Sequence, residues 1–165
     1  MKLNVAVVED DKNSSDLICG YIKRYSEETG YFIKVDTYRD GDEITDEYRP
    51  EYDIIFLDIE MKRMDGMSAA KQIRKYDNDV ILIFITNMTN LAIKGYEVEA
   101  FNYLLKPVTY FVFAREMSRS VEKLSSHKRH YLTLPAQNGF VKLEASEILY
   151  IERTKYKLLF KTKNG

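Results

Sequence analysis

The chain has 165 residues, of which 45% are hydrophobic and 31% are charged, a composition typical of a folded globular protein rather than a disordered or fibrous one. A single cysteine excludes an internal disulfide framework and a multi-cysteine zinc site, and two histidines argue against a histidine-based metal site. No apolar run reaches the ~18 residues of a membrane span, and the N-terminus lacks the anatomy of a signal peptide. We therefore expect a cytoplasmic protein that does not enter a membrane.

The net charge of −1 conceals an asymmetry between two parts of the chain. Residues 127–165 carry eight basic and three acidic residues, a net charge of +5, which leaves 17 basic and 23 acidic residues, a net charge of −6, for residues 1–126. Opposite charges on two segments indicate different partners. The acidic segment suits cations. The basic segment suits either a phosphate backbone or a solvated surface, and charge alone does not decide between them.

Short apolar runs are spaced along residues 1–126. The runs at 3–8, 54–57 and 80–85 each stop abruptly at polar residues. Continuous apolar runs of this length predict strands that are buried on both faces, as in a parallel sheet. Residues 31–38 and 101–105 are shorter candidates for strands.

Apolar residues recur at helical spacing between these runs. The first helix, with Asn13 or Ser14 as its predicted N-cap, is indicated by a stripe at Leu17, Ile18, Tyr21, Ile22 and Tyr25. Further helix-length segments are 42–48, 67–76 and 89–98, and a last stripe consists of Tyr110, Phe113, Met117, Val121 and Leu124. Strand and helix alternate five times, which predicts a doubly wound α/β domain with right-handed crossovers.

The pattern changes beyond the last helix. Short strands separated by turn signals are predicted at residues 131–134, 140–143, 148–151 and 156–162. Pro135 and Asn138-Gly139 mark the first of these turns. Because successive strands without helices predict a β-domain, we expect one α/β domain over residues 1–126, and a linker with a partial all-β segment over residues 127–165.

Four of the five predicted strands are followed at once by residues suited to phosphoryl chemistry. Glu9 and Asp10 follow the first strand, Asp58 the third, Thr86 the fourth and Lys106 the fifth. Ligands of open α/β sheets bind at the carboxyl ends of strands, so these groups are expected to converge. Three converging carboxylates require a neutralising cation, and an all-oxygen site suits Mg²⁺. A nearby hydroxyl and ammonium would bind a phosphoryl group, and an aspartate can form an aspartyl phosphate.

These residues, with the sequence around them, resemble the receiver domain of two-component response regulators. The matching motifs are VVEDD at 7–11, YDIIFLDIEMKRMDG at 52–66, FITN at 84–87 and YLLKP at 103–107. The resemblance covers essentially all of residues 1–125. It implies a flavodoxin-like fold, with five parallel strands in the order 2-1-3-4-5.

The resemblance also implies a role for the acidic residues. Asp58 would accept a phosphoryl group from a sensor histidine kinase. The cofactor would be Mg²⁺, held by Glu9, Asp10, Asp58 and the backbone carbonyl of Glu60. The protein would then be a switch that assists its own phosphorylation, and not an enzyme that turns over a substrate.

A second set of matching residues would bind the phosphoryl group and respond to it. Thr86 and Lys106 would contact the phosphoryl oxygens, and the Lys106-Pro107 bond would be cis, an isomer found almost exclusively before proline. Thr86 and Tyr103 would form the switch, moving inwards on phosphorylation and altering the surface of the fifth strand and its neighbouring helices. Phe111 and Val112 lie outside the stripe that faces the core, which favours a homodimer as one use of that surface.

Two positions depart from the family's pattern, and one other class of protein stays open. Lys62 stands where the family commonly has proline, which predicts a less rigid loop after Asp58. Asn87 stands where a smaller residue is commoner and would crowd the path of the phosphoryl donor. The alternative is a phosphatase similar to the haloacid dehalogenases, with Asp58 as nucleophile. That family calls for a second aspartate where this chain has Glu60, and for a cap domain.

The β segment resembles the beginning of a LytTR-type DNA-binding domain, with FVKL at 140–143 and EILYIER at 147–153 as early strands. A generic β-extension is the alternative. The resemblance implies regulation of transcription through promoter DNA. The sequence ends at Asn164-Gly165, a dipeptide typical of hairpin turns, so we expect the β-domain to continue beyond Gly165 with most of its DNA contacts. This fragment is therefore not expected to bind DNA sequence-specifically.

Overall fold

The computed structural model describes residues 1–88, 98–127, 131–136, 139–154 and 157–163. The chain divides into two compact units, Met1–Ser120 and Val121–Gly165. Most of the helix predicted at 89–98 and the Asn164-Gly165 turn lie outside the described residues. Within the described ranges, no helix combines the length and the apolar character needed to span a membrane.

The first unit is built on a five-stranded parallel sheet. Its order is β2-β1-β3-β4-β5, so the predicted flavodoxin-like topology is confirmed. The strands are β1 (Lys2–Val8), β2 (Phe32–Tyr38), β3 (Ile54–Leu57), β4 (Ile81–Thr86) and β5 (Asn102–Leu105). Strands β3 and β4 are buried along their whole length, which explains their continuous apolar sequences. The edge strand β2 has no fully buried residue.

Four described helices accompany the sheet: α1 (Lys12–Thr29), α2 (Gly41–Thr45), α3 (Gly66–Arg74) and α4 (Tyr110–His127). Helix α1 buries Ile18, Ile22 and Tyr25 from its predicted stripe. Leu17 is 46% exposed, so the core-facing stripe is narrower than the sequence pattern indicated. On α4, the predicted core residues Phe113, Met117 and Val121 are buried.

The predicted N-cap of α1 is wrong. Asn13 and Ser14 both lie inside the helix, and the cap is Asp11, whose backbone is extended and whose carboxylate accepts a hydrogen bond from the Ser14 N–H at 2.8 Å. Aspartate caps helices as well as asparagine or serine does. The helix therefore begins directly after the three acidic residues that follow β1.

The second unit contains two antiparallel hairpins, and the expected all-β segment is confirmed. The first hairpin pairs β6 (Tyr131–Ala136) with β7 (Gly139–Glu144), and the second pairs β8 (Ile148–Thr154) with β9 (Lys157–Thr162). Pro135, predicted to mark a turn, lies instead within β6 and pairs with Phe140. Both strands of a two-stranded sheet are edge strands, where a residue without an N–H is tolerated.

Candidate functional site

The predicted site residues meet at the carboxyl edge of the five-stranded sheet because the strand pairing continues one residue beyond several strands. The Glu9 N–H donates to the Tyr38 carbonyl at 3.0 Å, and the Asp58 N–H donates to the Val8 carbonyl at 2.9 Å. The Lys106 N–H likewise donates to the Thr86 carbonyl at 3.0 Å. These bonds place the backbones of Glu9, Asp58 and Lys106 at the same edge of the sheet, with Thr86 between Asp58 and Lys106 in the strand order.

Three carboxylates and one ammonium form the centre of the site. Oxygens of Glu9, Asp10 and Asp58 all lie within 4.8 Å of one another. The Lys106 Nζ lies 2.7 Å from Glu9 Oε2 and 2.6 Å from Asp58 Oδ2, so it bridges two of the three carboxylates. Glu9 and Asp58 are buried, and the Asp10 side chain is partly exposed.

The Asp58 carboxylate is held by three donors. Its Oδ1 accepts hydrogen bonds from the backbone N–H groups of Ile59 at 2.6 Å and Glu60 at 3.2 Å, and its Oδ2 accepts one from Lys106. Hydrogen bonds of this kind to an ionised group are stronger than neutral ones. The side chain is therefore fixed in one orientation, with the Lys106 ammonium beside one oxygen.

Burial and mutual repulsion shape the electrostatics of the cluster. Burial raises the pKa of Glu9 to about 7, and the nearby Asp58 charge adds to the rise, although the hydrogen bond from Lys106 opposes it. Burial acts to lower the pKa of Lys106, but its hydrogen bonds to Asp58 and Glu9 outweigh burial and raise that pKa. One buried lysine thus compensates Glu9 and Asp58, and the three carboxylates together retain an excess of negative charge.

The two predicted switch residues lie on β4 and β5, which pair with each other. Thr86 ends β4 and is fully buried, and its Oγ1 accepts a hydrogen bond from the Met88 N–H at 3.2 Å. Tyr103 in β5 stacks on Phe84, its pairing partner in β4, with ring centroids 4.9 Å apart. The Tyr103 hydroxyl is buried without a hydrogen-bond partner in the part of the chain that the structure describes, and burial raises its pKa.

A cleft of about 660 Å³ gives access to the cluster. Its walls include the carboxylates of Glu9, Asp10 and Asp58 together with Glu60, Asn87 and Lys106. The Lys106-Pro107 peptide bond at this corner is cis, as predicted. The Lys62 ammonium lies 3.8 Å from Asp10, but its side chain is 84% exposed, so it is a weakly held neighbour of the site.

One buried carboxylate that contacts the loop after Asp58 was missed in the sequence. Asp40 follows β2 and accepts hydrogen bonds from two backbone N–H groups of the loop after β3, those of Arg63 and Met64. Aspartate is common at helix starts, so an aspartate just before α2 does not stand out in the sequence. The Asp40 carboxylate binds the loop after β3 instead of capping α2. This choice depends on tertiary contacts, which a local sequence pattern does not contain.

The fold and the site together define a doubly wound α/β domain with an acidic cluster and a buried lysine at the carboxyl edge of its sheet. Residues 5–112 match the family model described as the response regulator receiver domain. The chain belongs to this family, and the resemblance seen in the sequence is confirmed.

Relatives of known name extend the similarity past this domain. The chain is 30% identical over 133 residues to the sensory transduction protein LytT of Oceanobacillus iheyensis, covering 78% of this chain and 52% of that protein. It is 26% identical to LytT of Bacillus cereus over 97% of this chain and 70% of the relative. The transcriptional regulatory protein YpdB of Escherichia coli is 32% identical over 64% of this chain and 42% of its own length. The chain thus matches between 42% and 70% of the length of these proteins.

The fold is also similar to those of solved receiver domains. The receiver domain of AraT, a response regulator from Geobacillus stearothermophilus, superposes with a TM-score of 0.66 at 24% identity, covering 78% of this chain and all of that domain. At this identity the likeness concerns the fold, and it agrees with the strand order described above.

Proposed function

We propose that this protein is a two-component response regulator that accepts a phosphoryl group on Asp58 from a sensor histidine kinase. The observation that carries the proposal is the bridge made by Lys106, whose ammonium touches both Asp58 and Glu9 at the carboxyl edge of the sheet. This arrangement puts a carboxylate nucleophile and a cation for the phosphoryl oxygens in one place. Membership of the receiver family supports the same chemistry.

The transfer would exchange one bond to phosphorus for another. A carboxylate oxygen of Asp58 attacks the phosphorus of a phosphohistidine. The P–O bond forms as the P–N bond breaks, and the departing imidazole nitrogen keeps the bonding electron pair and takes up a proton. Lys106 places positive charge beside the new phosphoryl group. The Thr86 hydroxyl can donate its proton to a phosphoryl oxygen, because Met88 uses only an acceptor position on Oγ1.

The acidic cluster would hold Mg²⁺ through Glu9, Asp10, Asp58 and the backbone carbonyl of Glu60. The donor set fits this ion, because three carboxylates within 4.8 Å provide hard oxygen ligands and carry more negative charge than Lys106 compensates. The ion, when bound, would neutralise charge that builds up on the phosphoryl oxygens. The protein's own contribution is to hold the carboxylates together and to keep Asp58 oriented.

Phosphorylation would be read out through Thr86 and Tyr103. A phosphoryl group adds about two negative charges at Asp58, which favours movement of the Thr86 hydroxyl towards it. Tyr103 stacks on Phe84, which lies two residues before Thr86 in the same strand. A shift at the end of β4 would therefore displace the Tyr103 ring. The exposed Phe111 on α4, 77% accessible, would belong to the surface that responds, and a homodimer is one proposed use of that surface.

The output would be transcriptional, through promoter DNA bound by a LytTR-type domain of which the two hairpins are the beginning. Three observations support this proposal: the basic charge of residues 127–165, the relative named as a transcriptional regulatory protein and the extension of the LytT similarity over 97% of this chain. A kinase and a promoter as partners would place the protein in the cytoplasm. It would act as a switch, since the phosphoryl group stays on the protein.

Incubation with Mg²⁺ and acetyl phosphate tests the phosphoacceptor. Wild type is expected to gain the mass of one phosphoryl group, and Asp58→Asn to gain none, because its amide is a poor nucleophile. Omitting Mg²⁺ should abolish the gain, and Asp10→Asn should raise the Mg²⁺ concentration needed for half-maximal labelling. Intact-protein mass spectrometry measures all four.

Asp65→Asn is the matched control. It changes a carboxylate in the loop that follows Asp58, and this carboxylate lies outside the acidic cluster. It should be labelled as wild type is. Labelling of Asp58→Asn at the wild-type rate would overturn the assignment. Continuous release of phosphate, without accumulation of the labelled protein, would favour a phosphatase.

A further inference from the structure

The loop of residues 59–65, between β3 and α3, carries Glu60 and shapes the surroundings of Asp58. At its end, the Gly66 N–H donates to the Ile59 carbonyl at 3.0 Å. A Cβ placed on Gly66 would lie only 1.9 Å from the Asp58 carbonyl oxygen. The two ends of the loop are therefore closed onto each other next to the phosphoacceptor.

The far side of the loop is held by Asp40, from the segment between β2 and α2. Its Oδ2 accepts a hydrogen bond from the Arg63 N–H at 2.9 Å, and its Oδ1 accepts one from the Met64 N–H at 2.8 Å. Both oxygens of one carboxylate thus bind successive main-chain donors. The next residue, Gly41, also lies against the loop, since a Cβ there would come within 2.6 Å of the Met64 carbonyl oxygen.

Asp40 is a charged group held in a buried place. Its residue is only 3% exposed. Burial opposes its ionisation, but the hydrogen bonds from Arg63 and Met64 outweigh burial and lower the pKa of Asp40. The Arg63 guanidinium, 3.7 Å away, adds a partly exposed cation that also pairs with Asp42 and Glu43. The carboxylate is thus ionised at neutral pH, and charge-assisted bonds of this kind are about twice as strong as neutral ones.

We propose that Asp40 is a positioning residue that fixes the main chain of residues 59–65 and thereby sets the affinity of the acidic cluster for Mg²⁺. The proposal rests on the proposed function, since Glu60 in this loop is one of the suggested metal ligands. Residues 59–65 contain no proline, so no residue of the loop has a φ angle fixed by its side chain. The two bonds to Asp40 restrict this stretch of backbone.

Two substitutions separate the contributions of the carboxylate. Asp40→Ala removes both acceptors, whereas Asp40→Asn keeps the volume and one acceptor and turns an NH₂ group towards the other N–H. Partners that orient metal ligands typically contribute about 10–100-fold to metal affinity. We expect Asp40→Ala to weaken Mg²⁺ binding to the unphosphorylated protein about tenfold, and Asp40→Asn to weaken it less, as measured by calorimetric titration.

Amide hydrogen exchange in metal-free protein gives a second readout. Protection of the Arg63 and Met64 N–H groups should fall in the order wild type, Asp40→Asn, Asp40→Ala, while protection of β3 and β4 stays at the wild-type level. Phosphorylation by acetyl phosphate can be followed at varied Mg²⁺ concentration. In the Asp40 variants, the fold increase in the Mg²⁺ concentration for half-maximal rate should exceed the fold decrease in the rate at saturating Mg²⁺. A general loss of stability would instead raise exchange throughout the sheet.

Asp42→Ala is the matched control. It removes a carboxylate two residues away that pairs with the same Arg63 side chain at 3.0 Å. It should retain wild-type Mg²⁺ affinity and wild-type protection at Arg63 and Met64. An equal loss in this variant would assign the effect to local charge and overturn the proposal, as would wild-type affinity in Asp40→Ala.

The two proposals fail in different ways. If wild type binds no Mg²⁺ and gains no phosphoryl group, the proposed function is wrong, and the exchange of Arg63 and Met64 still decides whether Asp40 holds the loop. If wild type binds Mg²⁺ and is phosphorylated while the Asp40 variants match it in affinity and exchange, only the positioning role is wrong.

Discussion

Glu9 differs from Asp58, the other buried carboxylate of the cluster, in the way its charge is compensated. It is buried, and its partners are the Lys106 ammonium and a long 3.3 Å hydrogen bond from the Asp11 N–H, whereas Asp58 accepts two backbone hydrogen bonds as well as Lys106. The weaker compensation leaves burial as the dominant effect. In the absence of a metal ion, Glu9 therefore retains its proton to a higher pH than an ordinary glutamate.

This protonation predicts a pH dependence of stability. In the unfolded chain Glu9 has its ordinary pKa of 4.5, and in the folded protein its pKa is about 7. Between these values the folded state binds a proton that the unfolded state has lost, so the free energy of unfolding falls as the pH rises. In metal-free protein this contribution is about 2 kcal/mol between about pH 5 and about pH 7.

Glu9→Gln should lack this fall, because its side chain does not titrate. The measurement is urea denaturation of wild type and Glu9→Gln at a series of pH values in the presence of a chelator. The difference between the two curves isolates Glu9 from other carboxylates, several of which have lowered pKa values and act in the opposite direction. Parallel curves would show that the Glu9 pKa is not raised.

The sequence predicts the members of this cluster but not their protonation. The positions of Glu9, Asp58 and Lys106 follow from where the apolar strands end, which is a local property of the chain. The pKa of Glu9 depends on its distance from Asp58 and on the depth of burial, and both are set by how the strands pack. The same reason explains why Asp40 was missed.

At the scale of elements, two helices begin in the same way. Asp11 caps α1 by accepting from the Ser14 N–H, and Asp65 caps α3 by accepting from the Ser68 N–H at 2.9 Å. The helix predicted at 67–76 starts within one residue of α3, because a single capping residue, Asp65, precedes it. The start of α1 was placed too late, because several residues suited to capping follow one another there. The choice among them depends on backbone angles rather than on residue type.

The cap of α3 can be tested by substitution. Asp65→Ala is expected to lower the free energy of unfolding by about 1 kcal/mol, because it leaves the Ser68 N–H without its side-chain acceptor. Asp65→Asn keeps an acceptor and should stay within a few tenths of a kcal/mol of wild type. Chemical denaturation at neutral pH measures both.

The pH dependence of this cap gives the test a second arm. Burial acts to raise the pKa of Asp65, but its hydrogen bonds from Ser68 outweigh burial and lower it. The stabilisation is therefore complete above the pKa of an unfolded aspartate, and it is lost as the pH falls through the lower folded value. The difference between wild type and Asp65→Ala should shrink on acidification. A difference that stays constant would contradict a cap formed by the ionised carboxylate.

At the scale of the molecule, the two units differ in how well they bury apolar side chains. The first unit encloses Phe56, Phe84 and Phe113 almost completely. In the second unit, Phe140 is 79% exposed, and further exposed apolar residues are Leu149, Ile151, Leu158 and Leu159. Hairpins of two strands are marginally stable alone, and their open edges pair readily with other chains. The apolar runs and turn signals in the sequence predict these strands. How far their faces are exposed depends on what packs against them, which the sequence pattern does not contain.

This difference predicts that self-association depends on the hairpins. Light scattering of unphosphorylated residues 1–165 should give a mass that rises with concentration, whereas unphosphorylated residues 1–126 should stay monomeric over the same range. Ile151→Lys with Leu158→Lys should return the longer chain towards a monomer, because charges on strand faces and edges oppose pairing. Asp58→Asn, the control, should associate as wild type does. Equal, concentration-independent masses for both lengths, with slow amide exchange in the hairpins, would mean that the hairpins are stable alone.

The close approach of Gly66 to the Asp58 carbonyl limits how the sequence can vary around the phosphoacceptor. At Gly66 any Cβ meets backbone at 1.9 Å, and backbone cannot rotate away as a side chain can. Four residues earlier, Lys62 extends into solvent and its identity is almost unconstrained by packing. Tolerance to substitution is therefore expected to be high at Lys62 and absent at Gly66, only four residues further along the chain. Redesign of this loop is open at its exposed middle, but Gly66, the first residue of α3, must stay glycine.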